Sequence, residues 1–166
     1  LRCMNKIERI LFYFPETSLP VLVSEDHLSD YEAESDPFPQ SFIDEVMTTW
    51  EKEIDDFTEF IPCFRLPKEE KFNAVVYWKG GLLRYDFMLV TIDNKGELIN
   101  KKSIAGTIVN DAIIKKSVAS IEPDLIINII AGQTMDGEEY DASMSKAFAM
   151  EILPTGEIIF AMDSLK

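Results

Sequence analysis

The feature that most constrains the fold is a hairpin pattern that runs from Tyr85 to Ala105. Its first arm, Tyr85–Ile92, consists largely of β-branched and aromatic residues, which suit a pleated and partly buried surface. A polar segment containing Gly96 follows, and glycine adopts the positive φ of a tight turn at no steric cost. The second arm is Glu97–Ala105. The sequence therefore predicts two antiparallel strands joined by a short turn.

Similar strand patterns lie on both sides of this hairpin. Apolar alternation and short apolar runs predict further strands at Phe72–Trp78, Leu125–Ala131, Ser145–Leu153 and Glu157–Met162, with the first hairpin arm extending back to Leu82. Residues 107–121 fit either a strand or a helical turn, and we prefer a strand. The run Leu125–Ala131 is apolar at both alternating positions, which is typical of a central strand covered on both faces.

The short connections between these strands define the expected topology. Parallel neighbours need long crossovers, so strands joined by short turns form an antiparallel meander. We expect about six or seven strands, arranged either as a curved sheet or as a partly closed barrel. Together with one helix, this gives an α+β fold.

The helix is predicted at 41–60. Ser41 is a plausible N-cap, with Asp44 three residues later in the position of a capping box. Pro62 would stop the helix. Apolar residues recur at steps of three and four and should pack against the sheet: Ile43, Val46, Met47, Trp50, Ile54, Phe57 and Ile61.

The length of 166 residues suits a single domain, 1–166. Residues 1–71 form an acidic region of loop and helix, and residues 72–166 form the meander. Within the acidic region, Ile7–Phe14 fits a strand or a helix, whereas Ser24–Asp36 predicts a surface loop with one helical turn capped by Ser24 or Ser29.

Negative charge is concentrated in one part of the chain. Between Glu16 and Glu59 there are 14 acidic residues and one basic residue, Lys52, which accounts for nearly all of the formal net charge of −14. Nucleic acids and anionic membranes attract clustered Lys and Arg, so we expect neither as a partner. Solubility is the preferred explanation of this acidity, and a basic protein partner is the alternative. Residues proposed to contact this partner are Asp44, Glu45, Asp55 and Asp56.

The sequence offers little for catalysis or cofactors. His27 is the only histidine and lies among carboxylates, and no GxSxG, Walker or GxGxxG motif is present, so we expect no catalytic residue and no cofactor. Cys3 and Cys63 lack zinc-site spacing and are expected to be free thiols in a reducing compartment.

One acidic cluster has some character of a cation site. Carboxylates surround Gly137, and Asp136, Glu138 and Asp141 are weak candidates for metal ligands. The cluster lacks the alternation and the distant Glu of an EF-hand, so a solvated loop is the preferred interpretation.

Aromatic residues surround the turn near Gly80 and Gly81. Core packing is the simpler explanation, and a binding rim is the alternative, because Trp, Tyr and Arg dominate binding hot spots. The cluster comprises Tyr77, Trp78, Tyr85 and Phe87, with Arg84 among them.

Two segments carry a resemblance to known sequences. Phe14–Pro20 reads FPETSLP, and Val90–Gly106 reads VTIDNKGELINKKSIAG. In this order they resemble a loose group of uncharacterised small bacterial α+β proteins, over about half of the chain. The resemblance implies a meander, but no activity and no site residue.

These observations lead to a functional hypothesis. A non-enzymatic binding protein that engages a basic partner through residues 16–59 is preferred. The alternative is a small-ligand-binding protein or a hydrolase-type enzyme with a pocket inside the curved sheet. We expect a cytoplasmic location, because no run of apolar residues is long enough to cross a bilayer. Leu1 in place of Met leaves two alternatives, a missing N-terminal piece or a start at Met4.

Overall fold

A meander of antiparallel strands organises the computed structural model, which describes residues 4–135 and 145–161. Strands β2 to β9 lie side by side in sequence order, and β1 pairs with β6. The nine strands in the described residues are β1 (Val21–Val23), β2 (Glu59–Arg65), β3 (Phe72–Gly80), β4 (Arg84–Asp93), β5 (Leu98–Asn110), β6 (Ile113–Ile121), β7 (Ile126–Met135), β8 (Lys146–Ile152) and β9 (Ile158–Phe160). The predicted α+β meander is confirmed, and the sheet is curved without closing.

The long strand β5 turns the sheet. Most of β5, from Leu98 to Ile108, pairs with β4, but only its last residues, Gly106 to Asn110, pair with β6. A bulge at Ile104 shifts the register between β4 and β5, which bends the pair. Gly106 follows at φ +150°, and a Cβ there would lie 2.0 Å from the carbonyl oxygen of Tyr85. This close approach requires glycine.

Two apolar cores result from the bend. One fills the space between strands β2–β5 and strands β6–β9, with Phe87, Leu89 and Ile127 fully buried. The other lies between β3–β4 and the helices, where Trp50 stacks on Tyr77 with ring centroids 5.9 Å apart. The space between the two halves of the bent sheet is therefore packed with apolar side chains.

The short helices pack on both cores: residues 6–11 and 40–50 cover one face of β3 and β4, whereas Leu28 and Tyr31 pack against the core between the halves of the sheet. Asn5 caps the first helix by accepting a hydrogen bond from the N–H of Glu8, and Ser24 caps the 3₁₀ turn in the same way. The expected cap at Ser24 is confirmed, but the expected surface loop is wrong, because an α-helix follows the turn and continues to Glu34. The helical elements are α1 (Lys6–Leu11), a 3₁₀ turn (Glu25–His27), α2 (Leu28–Glu34), α3 (Gln40–Phe42), a π-helical turn (Ile43–Met47) and α4 (Thr48–Trp50).

The predicted helix at 41–60 is right only in its first half. The continuous helix formed by α3, the π-helical turn and α4, called the 40–50 helix below, ends when Glu51 becomes extended. Phe57 is 64% exposed, and Ile61 lies in β2, where it packs between the halves of the sheet. Pro62 stands inside that edge strand, a position in which a missing N–H is tolerated.

Two further predictions need correction. There are nine strands in the described part rather than six or seven, because β1 and β2 arise from the acidic region and residues 107–121 span the end of β5 and all of β6. The strand around Leu125–Ala131 is not covered on both faces. Asn128 is exposed and Ile130 is 53% exposed, so one face is open.

The predicted hairpin is confirmed as β4 and β5. Asp93 Oδ1 accepts hydrogen bonds from the N–H groups of Lys95 at 2.8 Å and Glu97 at 2.9 Å. These bonds stabilise the carboxylate and lower the pKa of Asp93. Gly96 adopts φ +90°, as the turn requires.

Candidate functional site

The carboxylates predicted to bind a partner occupy two separate places. Asp44 and Glu45 lie in the π-helical turn, and both are exposed. Asp55 and Asp56 lie in the irregular segment between the 40–50 helix and β2, and both are exposed as well. The four side chains therefore do not share one helical face, because the helix ends before the second pair.

The first pair already has partners within the molecule. Gln40 Nε2 donates a hydrogen bond to Asp44 Oδ1 at 2.9 Å. Arg9 in α1 forms an ion pair with Glu45. A cationic partner at Glu45 would have to compete with Arg9. The pair Asp44 and Glu45 is therefore less available to a partner than the pair Asp55 and Asp56.

The second pair belongs to residues 51–59, which run from the end of the 40–50 helix to the first residue of β2 and which we call the acidic loop. Asp55 Oδ1 accepts hydrogen bonds from the N–H of Phe57 at 2.8 Å and from the hydroxyl of Thr58 at 3.0 Å. Thr58 Oγ1 accepts one from the N–H of Asp55 at 3.0 Å. Such side-chain to backbone bonds fix a turn. The loop therefore holds its exposed carboxylates in a defined arrangement.

Three large apolar side chains stand beside the acidic loop. Phe57 is 64% exposed, and Leu82 and Leu83 in the turn between β3 and β4 are 68% and 63% exposed. Strands β2 and β3 pair with Glu59 opposite Gly80. Phe57 precedes the first residue of β2 and Leu82 follows the last residue of β3, so both lie beyond the same end of this strand pair. The apolar side chains therefore gather at one end of the sheet, and we call them the apolar rim.

A buried carboxylate anchors the acidic loop at its start. Glu51 is 4% exposed; its Oε1 accepts a hydrogen bond from the Tyr77 hydroxyl at 3.0 Å, and its Oε2 lies 3.2 Å from the ammonium groups of Lys79 and Lys101. Lys101 also donates to the carbonyl oxygen of Trp50 at 2.7 Å. Burial, reinforced by the Glu51 carboxylate, raises the pKa of Tyr77 far above its usual value. This network fastens the end of the helix to β3 and β5.

A second buried carboxylate lies on β4. Asp86 is 8% exposed and accepts hydrogen bonds from Arg84 Nε at 2.6 Å and from the Ser103 hydroxyl at 2.7 Å. The Asp86 hydrogen bond raises the pKa of Arg84 further, so this guanidinium stays charged. Arg84 remains largely exposed and forms part of the cleft wall.

These groups line a surface cleft of about 390 Å³, which we call the cleft. The acidic loop forms one wall, and the end of β3 with facing parts of β4 and β5 forms the other. Its charged lining consists of four carboxylates, Glu51, Glu53, Asp55 and Asp86, and two cations, Lys79 and Arg84. Since carboxylates outnumber cations, the cleft favours positively charged groups.

Most of the aromatic cluster near Gly80 and Gly81 belongs to the apolar core. Tyr77, Trp78 and Phe87 are buried, and Tyr85 is half-buried and stacks on Trp78 with centroids 5.5 Å apart. Core packing is therefore confirmed for these rings, and Arg84 alone stands at the surface. Sequence reasoning missed the pairing of Glu51 with Lys79 and Lys101. No local spacing signals such contacts, because they depend on the register of three strands.

Two remaining expectations concern metals and membranes. Asp136, Glu138 and Asp141 lie outside the described residues. Within residues 4–135 and 145–161, no group of three or more His, Cys, Asp or Glu side chains is placed to hold a metal ion. No helix in these ranges has the length and hydrophobicity to span a bilayer.

Comparison with known proteins gives no relative. No protein-family model, no curated protein and no solved structure matches this chain. The resemblance to small bacterial proteins remains an expectation that rests on Phe14–Pro20 and Val90–Gly106. Function is therefore argued from the geometry of the cleft and its surroundings.

Proposed function

We propose that this chain is a non-enzymatic binding protein whose partner is a basic protein. The observation that carries the proposal is the acidic loop beside a cleft of net negative charge. Glu53, Asp56 and Glu59 are exposed, and in the described part of the chain none of them has a basic partner. Unpaired carboxylates on a loop of fixed shape offer a cation a preorganised site.

The other acidic residues play a supporting part in this function. Asp44 and Glu45 extend the negative surface along the 40–50 helix. Charge spread over a surface steers a partner of opposite sign and raises the association rate more than it tightens the complex. Binding should therefore weaken as salt is added, because surface charges are screened over about 8–10 Å at physiological ionic strength.

Charge neutralisation tests the proposal. In a variant with Asp44→Asn, Glu45→Gln, Asp55→Asn and Asp56→Asn, each amide oxygen still accepts the hydrogen bonds that hold the helix and loop. We expect a captured partner rich in Lys and Arg to bind this variant at least tenfold more weakly in calorimetry with purified components.

The matched control neutralises four carboxylates elsewhere. Glu69→Gln, Glu70→Gln, Asp124→Asn and Glu157→Gln remove the same charge from residues outside the acidic loop. This control should bind like the natural chain. Equal loss of affinity in both variants would show that net charge alone, and not the position of the carboxylates, determines binding. No loss in either variant would refute the proposal.

A small-ligand protein or hydrolase-type enzyme is the second candidate. The volume of about 390 Å³ favours it, since small-ligand pockets fall in the range of about 300–1,000 Å³. Apolar side chains fill the space between the halves of the sheet, so its site would lie at the surface, in this cleft or in a second one of about 420 Å³ beside Glu70, Phe72 and Glu151. Saturable binding of a small zwitterion at the cleft, with no protein partner, would favour this candidate over the first.

A further inference from the structure

We propose that the partner presents a segment in which Arg or Lys residues are flanked by large aliphatic side chains, and that this segment docks on the cleft and the apolar rim together. The inference rests on the proposed function and adds where the segment sits and what it carries. Phe57, Leu82 and Leu83 are each more than 60% exposed. An exposed apolar cluster next to a polar cleft is characteristic of an interaction site.

The charge of the cleft selects a cation. Asp86 is neutralised by Arg84, and the pairing of Glu51 with two lysines leaves one positive charge, which Glu53 and Asp55 together outweigh. The carboxylate of Glu53 and Oδ2 of Asp55 have no partner among the described residues, and both residues line the cleft. A guanidinium or ammonium group entering the cleft would meet these unpaired oxygens. Charge-assisted hydrogen bonds of this kind are about twice as strong as neutral ones.

The apolar rim selects what flanks the cation. Leu82 stands in the turn between β3 and β4, next in sequence to Gly81, and Phe57 stands in the acidic loop, next to Thr58; Gly81 and Thr58 both line the cleft. Aliphatic residues on each side of a bound cation would cover this rim and remove it from water. Covering the rim also lowers the local dielectric, which strengthens the ion pairs inside the cleft. A polycation without aliphatic residues leaves the rim exposed and binds less tightly.

Chemical-shift mapping on the full chain tests the inference. Three nine-residue peptides serve as probes: one with two Arg residues among Leu residues, one in which Ser replaces Leu, and one in which Glu replaces Arg. We expect the first to bind at least tenfold more tightly than the other two. Its shifts should centre on the amides of Phe57, Thr58 and Gly81. Shifts scattered over the surface, or equal binding of the first two peptides, would overturn the inference.

Variants separate this inference from the proposed function. Leu82→Ser with Leu83→Ser should weaken the Arg–Leu peptide at least tenfold, and Glu53→Gln should weaken it severalfold. Ile130→Ser, at an apolar residue that is 53% exposed on another face, is the matched control and should leave binding unchanged. If charge neutralisation abolishes partner binding while the Leu82 and Leu83 changes do not, the inference fails and the proposed function stands. If neutralisation has no effect, the proposed function fails.

Discussion

Glu51 shows how much a single buried carboxylate can organise. It is 4% exposed and receives donors from β3 and β5, so the end of the 40–50 helix is fixed to the sheet. The side chains of its partners Lys79 and Lys101 are about a quarter exposed, so water can still reach their ammonium groups. Loss of the Glu51 carboxylate therefore costs less free energy of folding than it would with fully buried lysines. The residue could not be identified from the sequence, where it is one of many carboxylates in the acidic region.

Replacing this carboxylate should destabilise the fold. We expect Glu51→Ala to lower the free energy of unfolding by about 2–4 kcal/mol, because the two ammonium groups and the Tyr77 hydroxyl lose their acceptor. Urea unfolding measures the change. Glu53→Ala, two residues away and exposed, is the control and should stay within about 0.5 kcal/mol of the natural chain. Equal effects of the two substitutions would contradict the role given to Glu51.

At the scale of elements, the strands could be predicted more fully than the helix. The hairpin of β4 and β5 carries its signal locally, in β-branched residues and Gly96. The apolar spacing at Ile54, Phe57 and Ile61 continues the helical period beyond Trp50, but these residues have different fates. Ile61 packs in the core between the two halves of the sheet, whereas Phe57 faces solvent. The end of the helix depends on tertiary contacts of Glu51, which no local pattern contains.

The bend in β5 provides a test at the same scale. A Cβ at Gly106 would lie 2.0 Å from the carbonyl oxygen of Tyr85, in a backbone conformation that side chains rarely adopt. We expect Gly106→Ala to cost about 2–4 kcal/mol of stability, from strain and displacement of β4. Gly81→Ala is the control, since the atom nearest to its added Cβ would be the carbonyl oxygen of Arg84, 3.5 Å away. Indistinguishable unfolding curves for the two variants would show that the bend tolerates a side chain.

At the scale of the whole molecule, the charge map and the fold class followed from the sequence, whereas the candidate site followed only in part. The acidic segment was visible as a run of carboxylates. Its division between a helix and a loop was not, and neither was the placement of Phe57 at the same end of the sheet as Leu82 and Leu83. That placement arises because β2 and β3 are neighbours, and β2 was itself concealed by the apparent helical period.

Two tyrosines and one cysteine, which are buried or partly buried, should make the folded state less stable at alkaline pH. Burial raises the pKa of Tyr31 to about 12 from its usual 10, and it also raises the pKa of the Cys63 thiol and of Tyr77. The native state therefore keeps protons that the unfolded state releases. Stability is fully present below about pH 9 and should fall as the pH rises from there towards 12.

Thermal unfolding across this pH range measures the effect, with Tyr31→Phe as the comparison. The variant loses the hydrogen bond from the Tyr31 hydroxyl to the carbonyl oxygen of Leu22, 2.8 Å long, and should be somewhat less stable at neutral pH. Its stability should decline less steeply between pH 10 and 12, because one proton fewer is released on unfolding. Parallel curves for the two proteins would contradict the raised pKa of Tyr31.

The position of Pro62 in β2 has a consequence for how these molecules behave towards one another. An outermost strand normally displays a ladder of free donors and acceptors to which a foreign chain can add, the first step of fibril growth. In β2 that ladder is interrupted, since Pro62 has no N–H, the register shifts between Pro62 and Phe64, and Arg65 is already bonded to Pro15 and Thr17. The opposite border, β9, offers only three residues. A long meander thus ends on both sides in strands that a neighbouring chain cannot readily extend.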